Sequence, residues 1–107
     1  MGGYTEAIVK FAIVGAGAIG AFLGARLSNA GHDVALVARG AHLAAMQANG
    51  VRVEGPGGEF EARPVATDDY ESIGPVDFVF LTVKAQGVPQ VAPLLSPLLG
   101  PDTAVVS

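Results

Sequence analysis

The sequence predicts an α/β protein with a doubly wound, mostly parallel sheet, and three observations favour this class. Apolar strand patterns alternate with helical patterns along the chain. The first strand pattern runs directly into a glycine-rich turn that opens a helix. Of the 107 residues, 50% are hydrophobic and 15% are charged, with a mean hydropathy of +0.47, as expected for strands that helices cover on both faces. This length supports one domain.

The first strand and the first helix are predicted from their apolar patterns. Residues 8–14 form a β-branched and aromatic run that is typical of a buried parallel strand. Beyond the turn, Gly31 is placed to end a helix, and Arg26 lies off its apolar face. The apolar residues that recur at helical spacing are Ile19, Phe22, Leu23, Leu27 and Ala30.

The turn between them has the spacing G-x-G-x-x-G. Gly15 can adopt the backbone angles of a tight turn, Gly17 lets the backbone approach a pyrophosphate, and Gly20 lets the helix pack close to its strand. The helix start adds free N–H groups and the positive end of the helix dipole. The turn therefore predicts a Rossmann-type dinucleotide site, formed by Gly15, Ala16, Gly17, Ala18, Ile19 and Gly20.

A membrane or export segment is the competing interpretation of this region. Phe11 to Ala25 carries no charge, Lys10 precedes it, and Gly20-x-x-x-Gly24 resembles a helix-dimer motif. A spanning helix needs about 20 apolar residues, and this run stops at Arg26. The length therefore favours a protein that does not enter a membrane.

The remaining elements continue the alternation of strands and helices. We expect a strand over 33–38, a short helix over 41–49, and a hairpin of 51–54 with 59–63. The nearly continuous apolar run 76–83 indicates a central parallel strand. A helical stretch is expected over 88–99 with Pro93 as its break, and the strand that begins at Thr103 leaves the sheet incomplete at the C-terminus.

Arg39 follows the second strand, where the adenine ribose lies in domains of this class. An acid there bonds the ribose 2′-hydroxyl of NAD, whereas an Arg suits the 2′-phosphate of NADP. No acid is expected to compete, because Asp33 is at the other end of the strand and the next carboxylate is Glu54. The pattern favours NADP over NAD, and an ordinary solvated arginine is the alternative.

Lys84 follows the apolar strand at its carboxyl end, where ligands of doubly wound sheets bind. The alternative interpretation is a solvated loop residue, which would have the same sequence pattern. His42 is interpreted as a partly exposed surface residue without a paired carboxylate. Three nearby acids precede a Gly-Pro turn and are expected to solubilise a loop: Asp68, Asp69 and Glu71.

Charge and composition exclude several functions. The net charge is −4 with 6 basic residues in no cluster, which argues against nucleic-acid binding. The absence of cysteine excludes disulfides and thiolate metal sites, and the isolated His32 and His42 do not form a zinc motif. No metal site is predicted, and no signal directs the protein out of the cytoplasm.

Four segments together resemble the N-terminal domain of the ketopantoate reductase family. These are 15–20, 37–43, 48–51 and, above all, Leu81-Thr82-Val83-Lys84-Ala85. The resemblance implies NADPH-dependent reduction of 2-dehydropantoate to pantoate, on the route to pantothenate and coenzyme A. It also implies that residues 15–20 hold the pyrophosphate, that Arg39 meets the 2′-phosphate, and that Lys84 helps to hold the cofactor.

The rest of the family's site does not map onto this chain. Its substrate-contacting Asn follows the strand that begins here at Thr103, and its catalytic Lys and substrate-binding Glu belong to a C-terminal helical domain. We therefore predict no catalytic residue within residues 1–107 and expect the chain to be the cofactor-binding part of a longer two-domain reductase, with little or no activity alone.

Two alternatives stay open. The chain could instead be a stand-alone dinucleotide-sensing module that forms a homo-oligomer through the exposed last strand, Ala104 to Val106. It could also be the cofactor domain of a related reductase that acts on another 2-keto acid or on an amino-acid imine.

Overall fold

A computed structural model of the chain describes residues 8–15, 17–55 and 58–107. The strands are β1 (Lys10–Val14), β2 (Asp33–Val37), β3 (Val51–Gly55), β4 (Gly58–Ala62), β5 (Val65–Thr67), β6 (Val76–Leu81) and β7 (Leu99–Val106). The α-helices are α1 (Ala18–Asn29), α2 (Gly40–Asn49), α3 (Tyr70–Ile73) and α4 (Val88–Val91).

Five of the strands form one parallel sheet in the order β5-β2-β1-β6-β7. The chain starts in the middle of the sheet at β1, builds outward to β5, and then returns to the other side of β1 with β6 and β7. This is the doubly wound topology that the sequence predicts. The order reverses between β1 and β6, so the switch point that binds ligands in such sheets lies beside the glycine-rich turn.

The two faces of the sheet bury separate hydrophobic clusters. Alternate residues of β1 and β2 point to opposite faces, so Ile13 and Leu36 belong to one cluster while Val14 and Val37 belong to the other. The first cluster lies beneath α1, α2 and the hairpin, and the second lies beneath α3 and the segment that leads to β7. Burial on both faces explains why these strands read as continuous apolar runs.

The apolar side predicted for α1 is correct in part, because Leu23 and Leu27 pack against the first cluster. Ile19 is 77% exposed and Phe22 is 50% exposed, whereas the buried residues of the helix are Gly20, Gly24 and Ala25. A Cβ on Gly24 would lie 2.5 Å from Cδ2 of Leu36. The helix therefore lies so close to the sheet that small residues must face it.

The hairpin β3–β4 is confirmed, with Val51 opposite Ala62 and Glu54 opposite Glu59. It packs against α1, and Arg26 of that helix lies over the ring of Phe60 at 5.7 Å.

Two elements between the hairpin and β6 were not predicted, and they correct the expectation of a solubilising loop. Val65, Ala66 and Thr67 of β5 pair in parallel with Ala35, Leu36 and Val37 of β2. Asp69 then caps α3 by accepting a hydrogen bond from the amide of Glu71 at 3.1 Å. A three-residue strand and a four-residue helix are too short to produce a recognisable period in the sequence.

The prediction of a helix over 88–99 is wrong in its extent. Only Val88–Val91 is α-helical, and 3₁₀ turns surround it at Ala85–Gly87, Ala92–Leu94 and Ser96–Leu98. Pro93 and Pro97 lie within these turns, where each lacks the N–H that an α-helix would use. Strand β7 therefore begins at Leu99, earlier than the predicted Thr103.

In residues 8–15, 17–55 and 58–107, no helix is long and apolar enough to cross a membrane. Across the same three ranges, no group of His, Cys, Asp or Glu side chains is arranged to hold a metal ion.

We predict that Leu36→Ala lowers the free energy of unfolding by about 2–5 kcal/mol, because Leu36 is fully buried between the sheet and α1. Leu99→Ala is the matched control, since Leu99 is 45% exposed, and we expect a loss of less than about 1 kcal/mol. Urea denaturation monitored by circular dichroism measures both. Equal losses in the two variants would contradict the placement of the core.

Candidate functional site

An open cleft of about 610 Å³ lies at the carboxyl ends of β1, β2, β5 and β6. The segment around α4 forms one wall of it, through Gln90, Val91 and Leu94. This volume lies within the range of small-molecule and cofactor sites. The cleft also occupies the topological switch point, which is where doubly wound sheets bind their ligands.

The glycine-rich turn forms the floor of the cleft at the end of β1. Gly15 has a φ of +93°, and a Cβ there would collide with the side chain of Val83 and lie 3.0 Å from its backbone nitrogen. The amide of Gly15 donates to the carbonyl of Val37 at 3.2 Å, which ties the turn to the end of β2. At position 15, a residue with a side chain would be strained by the positive φ, and its Cβ would also have no space.

Gly17 and Gly20 have opposite surroundings. Gly17 is exposed to the cleft and a Cβ there would meet nothing within 4 Å, so the missing side chain leaves space for a ligand. A Cβ on Gly20 would lie 2.7 Å from Oγ1 of Thr82 and 2.8 Å from the carbonyl oxygen of Gly15. Gly20 therefore permits close packing of α1, as predicted.

The start of α1 is open to an anion. No side chain caps the helix at Gly17, and the first turn contains no acidic residue. Since Gly17 accepts the first helical hydrogen bond from Ala21 at 2.8 Å, the amides of Ala18, Ile19 and Gly20 have no partner within the helix. Ala18 and Ile19 are exposed, and Ala16 lies outside the described residues.

Thr82 fixes the turn from the neighbouring strand, a role that the sequence did not reveal. Its amide donates to the carbonyl of Val14 at 2.9 Å. Its hydroxyl lies 3.1 Å from the same carbonyl and also contacts the carbonyl of Gly15. The only sequence signal of this role was that Thr82 is a polar residue near the end of a mainly apolar strand run. Thr82 thus orients the backbone of the glycine-rich turn.

Arg39 lies where the sequence placed it, directly beyond β2 and lining the cleft. It has an extended backbone at the N-cap of α2 but makes no side-chain cap, and its side chain is exposed. The guanidinium is therefore available to a ligand.

The expectation that no acid would compete with Arg39 did not take Asp68 into account. Asp68 lines the same cleft, because β5 runs parallel to β2 with Thr67 beside Val37. The amide of Ala38 donates to the carbonyl of Thr67 at 3.2 Å, so the chain segments that follow the two strands leave the sheet side by side. Sequence reasoning missed this pair because it did not predict β5.

Tyr70 is a second cleft residue that sequence reasoning missed. It is half-buried and packs against the cluster that contains Ile73 and Leu98. Burial raises the pKa of its phenol, and the positive charge of Arg39 acts in the opposite direction. The hydroxyl therefore stays protonated at neutral pH and lies within the electrostatic field of Arg39.

Lys84 lines the cleft from the end of β6, at the start of the 3₁₀ turn Ala85–Gly87. Its side chain is exposed, as is that of His42, which also lines the cleft from the first turn of α2. The structure thus brings Arg39, Lys84 and the glycine-rich turn to one cleft.

These features define the class of the protein: it is a Rossmann-type α/β domain, and domains of this class bind dinucleotides at this edge of the sheet. The model of the ketopantoate reductase PanE/ApbA family matches residues 11–107. The chain therefore belongs to the ketopantoate reductase family.

Individual relatives support this assignment. The chain is 45% identical over 100 residues to a 2-dehydropantoate 2-reductase of Mesorhizobium japonicum, covering 92% of this chain and 31% of the relative. Among solved structures, a PanE/ApbA family ketopantoate reductase from Ralstonia eutropha matches with a TM-score of 0.83 and 35% identity, over 92% of this chain and 33% of that one.

A ternary structure of D-mandelate dehydrogenase with NADH and anilino(oxo)acetate is also similar. Its TM-score is 0.78 with 30% identity, and the match covers 90% of this chain and 32% of that one. The chain spans about a quarter to a third of the length of the first curated relatives that it matches.

We predict that Thr82→Val lowers the free energy of unfolding by about 1 kcal/mol and weakens nucleotide binding, because the carbonyls of Val14 and Gly15 lose their hydroxyl partner. Thr82→Ser keeps the hydroxyl and should bind nucleotide within about threefold of the wild type. Thermal unfolding and calorimetric titration with NADPH measure the two effects. Wild-type binding in Thr82→Val would contradict the orienting role.

Proposed function

We propose that this chain is the NADP(H)-binding domain of a two-domain 2-dehydropantoate 2-reductase. That enzyme would reduce 2-dehydropantoate to pantoate in the cytoplasm, on the route to pantothenate and coenzyme A. The observation that carries the proposal is one cleft that contains an anion-binding glycine turn, Arg39 and Lys84 in a member of the ketopantoate reductase family.

The glycine-rich turn fits a pyrophosphate. Gly17 leaves open space at the cleft, and the amides of Ala18 and Ile19 at the start of α1 are free to donate to phosphate oxygens. The proposed phosphate site consists of residues 15–20. When bound, NADPH supplies the hydride for reduction of a carbonyl.

Arg39 supports NADPH as the preferred cofactor. Its exposed guanidinium can form a bidentate pair with the 2′-phosphate, to which Lys84 adds a second positive charge in the cleft. Asp68 opposes this preference, because a carboxylate repels a phosphate and can accept a hydrogen bond from a ribose hydroxyl instead. Two cations against one carboxylate favour the phosphorylated cofactor.

Substrate binding and proton donation are proposed to reside in the part of the enzyme that this chain does not represent. Hydride transfer needs the nicotinamide, the keto acid and a proton donor in near-attack geometry. The chain spans about a third of its curated relatives, and we assign no catalytic residue to it. We propose that the keto acid binds only together with a second domain, and that β7 at the sheet edge is a contact for further strands or for a second copy.

A related reductase of another 2-keto acid is the second candidate. The similarity to D-mandelate dehydrogenase at 30% identity favours it, since the same type of domain serves another substrate there. The decisive test compares turnover of 2-dehydropantoate and benzoylformate by the full-length enzyme with NADPH.

We predict that Arg39→Gln weakens NADPH binding by about 10- to 100-fold, because a charge-assisted hydrogen bond contributes about 1.5–3 kcal/mol. NADH affinity should stay within about twofold. Calorimetric titration of both cofactors into the chain measures this. Arg52→Gln is the matched control, because Arg52 lies on the hairpin, is exposed and, among the described residues, pairs with Glu61 alone. Equal losses for NADPH and NADH would contradict the assignment of Arg39.

We predict that Asp68→Asn tightens NADPH binding several-fold at low ionic strength, because it removes a negative charge from the cleft that is proposed to hold the 2′-phosphate. The gain should shrink in about 0.5 M salt, where exposed charges are screened. Glu71→Gln is the control, since it removes an exposed charge nearby that does not line the cleft. Weaker NADPH binding in Asp68→Asn would show that the carboxylate instead contacts the cofactor favourably.

A further inference from the structure

Tyr70 shares its wall of the cleft with Arg39. The two residues follow strands that lie in register, because Val37 of β2 pairs with Thr67 of β5. Arg39 lies two residues after Val37, and Tyr70 lies three residues after Thr67. Both line the cleft, and the charge of Arg39 acts on the Tyr70 phenol. The phenol and the guanidinium therefore face a common volume.

A set of local hydrogen bonds holds Tyr70 in place. The amide of Asp69 donates to Oγ1 of Thr67 at 3.0 Å, and the hydroxyl of Ser72 donates to the carbonyl of Asp69 at 2.7 Å. The amide of Gly74 donates to the carbonyl of Tyr70 at 3.4 Å. The ring packs against the buried cluster beneath α3. Tyr70 is thus a pre-positioned part of the wall, and binding a ligand there requires little additional ordering.

The hydroxyl of Tyr70 is free to bind a ligand. Within the residues that the structure describes, it makes no hydrogen bond, and no buried side-chain polar atom is without a partner, so the hydroxyl is not fully buried. Because the phenol is neutral at neutral pH, it is a donor without a charge of its own. An anionic oxygen held by Arg39 would be a suitable acceptor.

We propose that Tyr70 is a specificity-determining residue whose hydroxyl donates a hydrogen bond to the 2′-phosphate of NADP(H), beside Arg39. This inference rests on the proposed function. In the proposed site, Arg39 supplies the positive charge, and the Tyr70 hydroxyl supplies a directed hydrogen-bond donor that recognises the phosphate monoester. NAD(H) lacks that group, so its affinity does not depend on the hydroxyl.

Tyr70→Phe tests the proposal, since it removes the hydroxyl and retains the ring that packs against the core. In calorimetric titrations of the chain at fixed ionic strength, NADPH affinity should fall about tenfold or more while NADH affinity stays unchanged. The small probes adenosine 2′,5′-bisphosphate and adenosine 5′-monophosphate should reproduce this difference. Circular dichroism and thermal unfolding establish that the variant is folded.

Other outcomes separate failure of this inference from failure of the proposed function. If the wild type binds NADPH and Tyr70→Phe binds it equally well, the hydroxyl is not a ligand. If Tyr70→Phe loses NADPH and NADH alike, Tyr70 serves only as a wall of the cleft, and the inference is overturned. If the wild-type chain binds neither cofactor, or shows no preference for NADPH, the proposed function itself fails before Tyr70 is considered.

Discussion

The contact between the glycine-rich turn and the end of β6 is the constraint on which the rest of the cleft depends. Gly15 and Gly20 bring the turn and α1 against Val83 and Thr82, with no space for a single additional carbon atom. If either position carried a side chain, the helix would have to move outward. Its free amides would then leave the cleft, and the anion site would be lost although every strand remained in place.

The same constraint sets the electrostatics of the cleft. The chain carries a net charge of −4, but Arg39 and Lys84 face the cleft from the ends of two different strands. The free amides of α1 add partial positive charge from a third direction. The cleft is thus a cationic region in an acidic protein, and its field draws in an anionic ligand. Asp68, which also lines the cleft, moderates that field.

Sequence reasoning was correct where a periodic apolar pattern extended over many residues, or where a tight turn sterically required glycine. Four of the five strands of the central sheet, the helices α1 and α2, and the hairpin followed from apolar patterns. The glycines followed from the geometry of the turn. It failed for Asp68 and Tyr70, because their approach to Arg39 depends on the pairing of a three-residue strand that has no recognisable pattern. For α1 it was correct at Leu23 and Leu27 but wrong at Ile19 and Phe22, since helical spacing identifies apolar residues but not how closely a helix approaches its sheet.

The position of the charged groups has an evolutionary consequence. Arg39, Asp68 and Lys84 are all exposed and stand just beyond the ends of their strands, so replacing them removes almost no buried area. The glycines and Thr82, by contrast, are tied to the packing of the sheet. In the proposed function, coenzyme preference and folding stability are therefore carried by separate sets of residues. On that proposal, a few surface substitutions would exchange one coenzyme for the other without passing through a poorly folded ancestor.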